Sequence, residues 1–89
     1  MARTRNTIAD QHIATRLRTR RRELSLSQEW VADQLGIRYQ QVQKYETGVN
    51  RISAGTLYDL SLILEVSVAW FFEGLPKRDK QRVKRPRKP

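Results

Sequence analysis

Four apolar pairs, each five positions apart, most constrain what this chain can fold into: Leu26/Val31, Ile37/Val42, Ile52/Leu57 and Val66/Phe71. An apolar residue just before a helix N-cap packs on the fourth helical residue and fixes the angle at which the chain enters the helix. In this register the enclosed N-caps are Ser27, Arg38, Ser53 and Ser67. A serine oxygen there accepts one of the orphan N–H groups of the first turn. One such pair is weak evidence, but four in register, three of them around serine, are strong. Gly36 and Gly48 stand where a left-handed glycine ends the second and third helices, and Gly74 with Pro76 closes a fifth. Ile13, Leu17 and Leu24 share one face of a first helix, for which Asn6, Thr7 and Asp10 are all suitable caps. No segment alternates convincingly as a strand, so the expected fold is an all-α bundle of five short helices.

The length allows one core of this kind. The chain has 89 residues, 38% of them hydrophobic, enough for a single small domain. No apolar run is long enough to span a bilayer. The basic start, MARTRN, is not followed by the apolar stretch of a signal peptide. Without cysteine there are no disulfides and no cysteine-ligated zinc. The lone His12 has no second ligand and is read as solvated, so neither metal nor cofactor is expected. A cytoplasmic location is the default, and at this length no ligand-sensing domain is expected.

A formal charge of +9 points to a polyanion, most often nucleic acid. It is unevenly spread. Residues 1–25 hold seven Arg against Asp10 and Glu23, and residues 77–89 hold eight Lys or Arg against Asp79. Residues 26–76 are net acidic, with Arg38, Lys44 and Arg51 against six carboxylates. The chain therefore divides into a basic arm (residues 1–9), a helical domain (10–75) and a basic tail (76–89). The tail has too little apolar surface to offset chain entropy and is expected to be disordered. It is either a solvated extension or a nonspecific clamp on DNA, and Arg3 and Arg5 suit a second arm.

Ala32 lies four residues before Gly36, and Val42 six after it. A small residue, a turn glycine and a buried aliphatic at those intervals let two helices cross closely. That is the requirement of a helix-turn-helix, in which one helix braces on the DNA backbone and the other enters the major groove. Val31, Leu35, Ile37, Val42 and Tyr45 are its expected internal contacts. With these residues in place, the run LSQEWVADQLGIRYQQVQKYETGVNRISAGTLYDLSLILEVSVAWFFEG resembles the Cro/CI-type (XRE) family of helix-turn-helix regulators, over about residues 13–74. Within it, RYQQVQKYETGVNRIS resembles a subgroup common in alphaproteobacteria. The resemblance implies a five-helix, lambda-repressor-like DNA-binding bundle, usually a homodimer on a palindromic operator.

Arg38, Tyr39, Gln40, Gln43 and Lys44 share the outward side of the third helix, opposite Val42 and Tyr45. Gln pairs bidentately with adenine, Arg and Lys pair with guanine, and an aromatic ring lies against a thymine methyl. These five are the candidate base contacts; the plain alternative is an ordinary polar helix face. The family match favours Tyr39, Gln40 and Lys44, with Gln43 close behind, while Gln41 turns either outward or toward the first helix. Arg38 stands where the family more often has Ser or Thr, so a cap is weakened and a cation gained that suits a base or a phosphate alike.

The resemblance further implies a phosphate contact for Gln28 and sugar-phosphate contacts from the loop residues Thr47, Asn50 and Arg51. It also implies a partly buried salt bridge between Arg21 and Glu46 that positions the third helix. Each has a blander alternative: a solvated first turn, a solvated loop, two exposed charges. Trp30 replaces a residue usually polar in the family and is either packed or partner-facing. Trp70, Phe71 and Phe72 are expected to supply core and, through any exposed ring, the homodimer contact around the fifth helix.

No serine has an acid–base partner, so no enzyme is expected. The expected function is a sequence-specific double-stranded DNA-binding transcriptional regulator, a homodimeric repressor on the bacterial nucleoid. The main alternative is an antitoxin-like protein-interaction module that also represses its own operon. A third is a nonspecific architectural or RNA-binding protein driven by the tails.

Overall fold

The computed structural model describes residues 7–76 and Pro86. Arg3, Arg5 and the tail residues 77–85 and 87–89 lie outside the described residues. Helices α1 (Ile8–Glu23), α2 (Gln28–Leu35), α3 (Tyr39–Glu46) and α4 (Ala54–Ile63) are followed by a 3₁₀ helix, Val68–Phe72. No strand occurs among the described residues. The class is all-α, but the expected fifth helix is a five-residue 3₁₀ turn and not an α-helix. The Trp70 carbonyl accepts the Glu73 N–H at 3.2 Å, three residues on, and also the Arg16 guanidinium, so the turn closes tightly and stops.

All four stapled starts occur where the pairs place them. Ser27, Ser53 and Ser67 accept from the backbone N–H of Trp30, Thr56 and Trp70 respectively, and Arg38 makes no side-chain cap. For α1 the cap is Thr7, in a capping box: Thr7 Oγ1 accepts from the Asp10 N–H, and Asp10 accepts from the Thr7 N–H at 3.0 Å. Residues 8 and 9, assigned by sequence to the arm, are therefore the first turn of α1.

Three of the connections are built alike. In Ser25-Leu26-Ser27, Gly36-Ile37-Arg38 and Glu65-Val66-Ser67, a residue with positive φ is followed by an apolar residue and then the next N-cap. The first residue returns its N–H to Arg22, Asp33 or Leu62, and the second to Arg21, Ala32 or Ser61. This is the Schellman closure, which satisfies the last carbonyls of the preceding helix. The middle residue thus ends one helix and staples the next, so three residues set each corner. Only the α2–α3 corner uses glycine for the left-handed position, with φ 72° at Gly36. Ser25 (φ 58°) and Glu65 (φ 59°) hold that conformation with a Cβ, which costs an L-residue about 1–2 kcal/mol. Set against the extra freedom of glycine in the unfolded chain, Ser25→Gly and Glu65→Gly should each stabilise the domain by about 0.5–1 kcal/mol. Urea midpoints that stay the same or fall would contradict that strain.

The core lies where these corners aim it. Leu17, Val31, Ala32, Val42, Leu57, Leu60, Leu64 and Phe71 form one buried cluster, with Ile13, Leu24, Leu35, Ile37 and Tyr45 packed against it. Ala32 of α2, 2% exposed, and Val42 of α3, fully buried, are both in this cluster. Phe71 is fully buried, which removes its ring from any dimer contact; Phe72 remains 41% exposed and Trp70 is half-buried.

Candidate nucleic-acid interface

The start of α3 is presented by the Gly36-Ile37-Arg38 corner. Val42 in the core and the half-buried Tyr45 hold one side of the helix down, and the opposite side turns outward. Arg38, Tyr39, Gln40, Gln43 and Lys44 are all exposed, while Gln41 is half-buried. Arg38, Tyr39 and Gln40 border a groove of about 320 Å³ with Glu29 and Asp33 of α2. Gln43, Lys44 and Thr47 line a second groove, of about 410 Å³, together with Gln28 and the α1 residues Arg18, Arg21 and Arg22. The polar face is thus shared between two grooves at the two ends of one helix.

What holds α3 in this attitude is a network around Glu46, whose side chain is 2% exposed. Arg21 reaches across from α1 with its fork: Nε donates to Oε2 at 2.5 Å and Nη2 to Oε1 at 3.0 Å. The third donor, Nη1, closes on the Leu26 carbonyl at 2.8 Å. Gln28 Nε2 adds a bond to Glu46 Oε1 at 3.0 Å. The carboxylate is therefore met on both oxygens, and no buried side-chain nitrogen or oxygen among the described residues lacks a partner. The hydrogen bond to Glu46 raises the Arg21 guanidinium above its usual value, against the opposing pull of burial. Gln28 ties the first turn of α2 to the last turn of α3, so its amide braces the helix pair directly.

The loop after α3 is fastened to α1. Asn50 returns its N–H to the Lys44 carbonyl at 3.2 Å, and Thr47 Oγ1 donates to the Gln43 carbonyl at 3.1 Å. Arg51 Nε meets Asp10 Oδ2 at 3.1 Å. The Thr7 N–H, helped by the Thr7 hydroxyl and Arg51, holds the Asp10 carboxyl below its ordinary value of 3.8. Asp10 thus serves both the α1 cap and the loop.

Of the first-helix arginines only Arg21 was given a partner by the family resemblance, and the structure divides the other four. Arg16 lies over the Trp70 ring, 3.6 Å from its centroid, and donates Nη2 to the Trp70 carbonyl at 2.7 Å. Arg20 Nε donates to Leu64 O, the C-cap carbonyl of α4, at 2.9 Å. His12, expected to be solvated, is half-buried, with Nε2 donating to the Glu73 carbonyl at 2.6 Å. His12 and Arg16 pin the C-terminal turn to α1, and Arg20 pins the end of α4 to it. Their spacing of four along α1 (12, 16, 20) is the signal that would have separated them from Arg18 and Arg22. Trp30 is 42% exposed on α2. No group of three or more His, Cys, Asp or Glu suited to a metal occurs among the described residues, and no helix there is long and apolar enough to cross a membrane.

Comparison with known proteins gives this geometry its relatives. A helix-turn-helix family model matches residues 17–71. An HTH-type transcriptional regulator of Sinorhizobium medicae is 49% identical over 67 residues, 75% of this chain and 48% of its own length. A transcriptional regulator in the ATPase CF(0) region of Rhodospirillum rubrum is 47% identical over 70 residues, 79% of this chain and 65% of its own. This chain thus spans about half the length of the first relative and somewhat more of the second. Among solved structures, the restriction-modification controller protein C.AhdI from Aeromonas hydrophila aligns with a TM-score of 0.66 at 27% identity. That alignment covers 70% of this chain and 94% of C.AhdI.

Proposed function

This chain belongs to the Cro/CI-type (XRE) helix-turn-helix family of DNA-binding transcriptional regulators, and from that premise we propose that it represses transcription as a homodimer on a palindromic operator. The observation that carries the reading is the exposed polar side of α3, held rigidly by the Arg21–Glu46–Gln28 network. Arg38, Tyr39, Gln40, Gln43 and Lys44 read base edges in the major groove, and Gln28, Thr47, Asn50 and Arg51 follow the sugar-phosphate backbone. Two such helices enter successive major grooves about 34–36 Å apart. The dimer contact involves the 3₁₀ helix, where Val68 and Phe72 are exposed. The protein acts in the cytoplasm, on the nucleoid, and the reading assigns it no catalysis, metal or cofactor.

Selection of duplexes from a random-sequence library, followed by footprinting on the best of them, tests the reading. Gln40→Ala and Lys44→Ala should each reduce discrimination between the selected duplex and random DNA by about 1–3 kcal/mol. Equal losses on both duplexes would remove the base-reading role. One observation favours a second reading: Trp30, on α2, is 42% exposed. As an antitoxin-like module the chain would bind a toxin encoded beside it and repress their shared operon. Absence of a neighbouring toxin gene whose product it binds would dismiss that reading.

A further inference from the structure

We propose that the groove between the C-terminal half of α1 and the last turn of α3 is a second phosphate-binding site, in which Arg18 and Arg22 grip the sugar-phosphate backbone of the bound duplex. The inference rests on the DNA-binding reading above and extends it to an element that reading does not use.

The charge inventory carries it. Residues 7–76 contain eight Arg or Lys and eight Asp or Glu, so the folded unit has no formal excess of either sign. Arg16, Arg20, Arg21 and Arg51 each meet a carboxylate. Arg18, Arg22, Arg38 and Lys44 form no salt bridge with the described residues, and three of these four line the same groove of about 410 Å³. The carboxylate that borders this groove, Glu46, is already taken by Arg21 and Gln28. Among the described residues, three cations without a salt-bridge partner therefore converge on one concavity of an otherwise balanced surface. In the free protein that costs repulsion; a polyanion converts it into attraction.

Position selects the polyanion. If the outward side of α3 faces base edges as far as Lys44, the backbone flanking the groove passes just beyond it, at Thr47. Arg18 and Arg22 stand four apart on α1, hence on one side of it, and both border the groove that Lys44 and Thr47 line. A planar guanidinium offers paired donors that match the oxygens of a phosphodiester. Helix α1 thereby becomes a backbone clamp beside the recognition helix, adding affinity and salt dependence without sequence information.

The test compares the full-length chain with an Arg18→Ala/Arg22→Ala double variant on a library-selected duplex and on a random duplex of equal length, across a salt series. Both side chains are exposed and form no salt bridge with the described residues, so thermal melts should coincide with wild type. The variant should lose affinity by the same factor on both duplexes, and its slope of log affinity against log salt should be shallower by about 2, or about 1 per phosphate contact. Arg18→Lys/Arg22→Lys should restore most of the slope. A duplex series with one neutral methylphosphonate linkage at a time should reveal a position that costs the wild type affinity and the variant none. An unchanged slope, with wild-type selectivity intact, would overturn the clamp and leave the DNA-binding reading standing. Wild type that prefers no duplex and shows no salt-dependent binding would overturn both.

Discussion

Arg21→Ala is expected to destabilise the folded domain by about 3–5 kcal/mol, because it leaves the Glu46 carboxylate buried without its counter-charge. Burial decides the magnitude. An exposed ion pair contributes only about 0–1 kcal/mol, but here the two side chains are 11% and 2% exposed. The fork is bidentate, and the same guanidinium also closes the α1–α2 corner through Leu26. Gln28 would still donate one hydrogen bond to Glu46, a neutral donor in place of a charge. Urea melts of the single variant measure the cost, and a loss under about 1 kcal/mol would mean that water reaches the pair freely. A double change to apolar residues, Arg21→Met with Glu46→Leu, should recover much of the stability, since it removes the orphaned charge along with the pair. It would not restore the aim of α3, so operator discrimination should stay impaired in a well-folded protein.

Phe71→Ala should be of similar size, about 3–5 kcal/mol, because it empties the volume of a fully buried ring. Phe71 closes the bundle. It meets Trp70 edge to face at 5.3 Å between centroids, and Trp70 is itself covered by Arg16. The staple from Val66 brings the ring under α4, where Leu60 and Leu64 are also fully buried. Phe72→Ala, one position on, removes a ring already 41% exposed and should change monomer stability by less than about 1 kcal/mol. Equal thermal shifts for the two variants would show that the turn does not separate a core ring from a surface ring. If Phe72 belongs to the dimer contact, sedimentation should show its variant weakened in association while the fold survives.

Much of the fold was legible because helix ends are chemically local. Leu26, Ile37, Ile52 and Val66 announce the starts within six residues of sequence, and the helices begin there. The C-terminal ends were legible only where glycine marks them. Ser25 and Glu65 occupy the same left-handed position as Gly36 but carry no compositional signal, since the closure is made by backbone hydrogen bonds that any residue supplies at some strain. The fifth helix failed for a different reason. Its staple and serine cap were correct, but the carbonyls of Trp70 and Glu73 are drawn to Arg16 and His12, residues far away in sequence.

The same division runs through the interface. The polar side of α3 follows from helical periodicity around Val42 and Tyr45, and its exposure needed no knowledge of the rest of the chain. The fate of each arginine did. The family resemblance set Arg21 apart, but Arg16, Arg18, Arg20 and Arg22 are indistinguishable in a row of basic residues, since charge is a property of the side chain while pairing is a property of its neighbours. By itself the sequence determined where the helices start, which two form the helix-turn-helix and which face of the second one is polar. Only the tertiary structure decided which cations are consumed in holding the fold and which, among the described residues, form no salt bridge beside α3. Their partners lie on other helices, and no local spacing encodes a contact closed by packing.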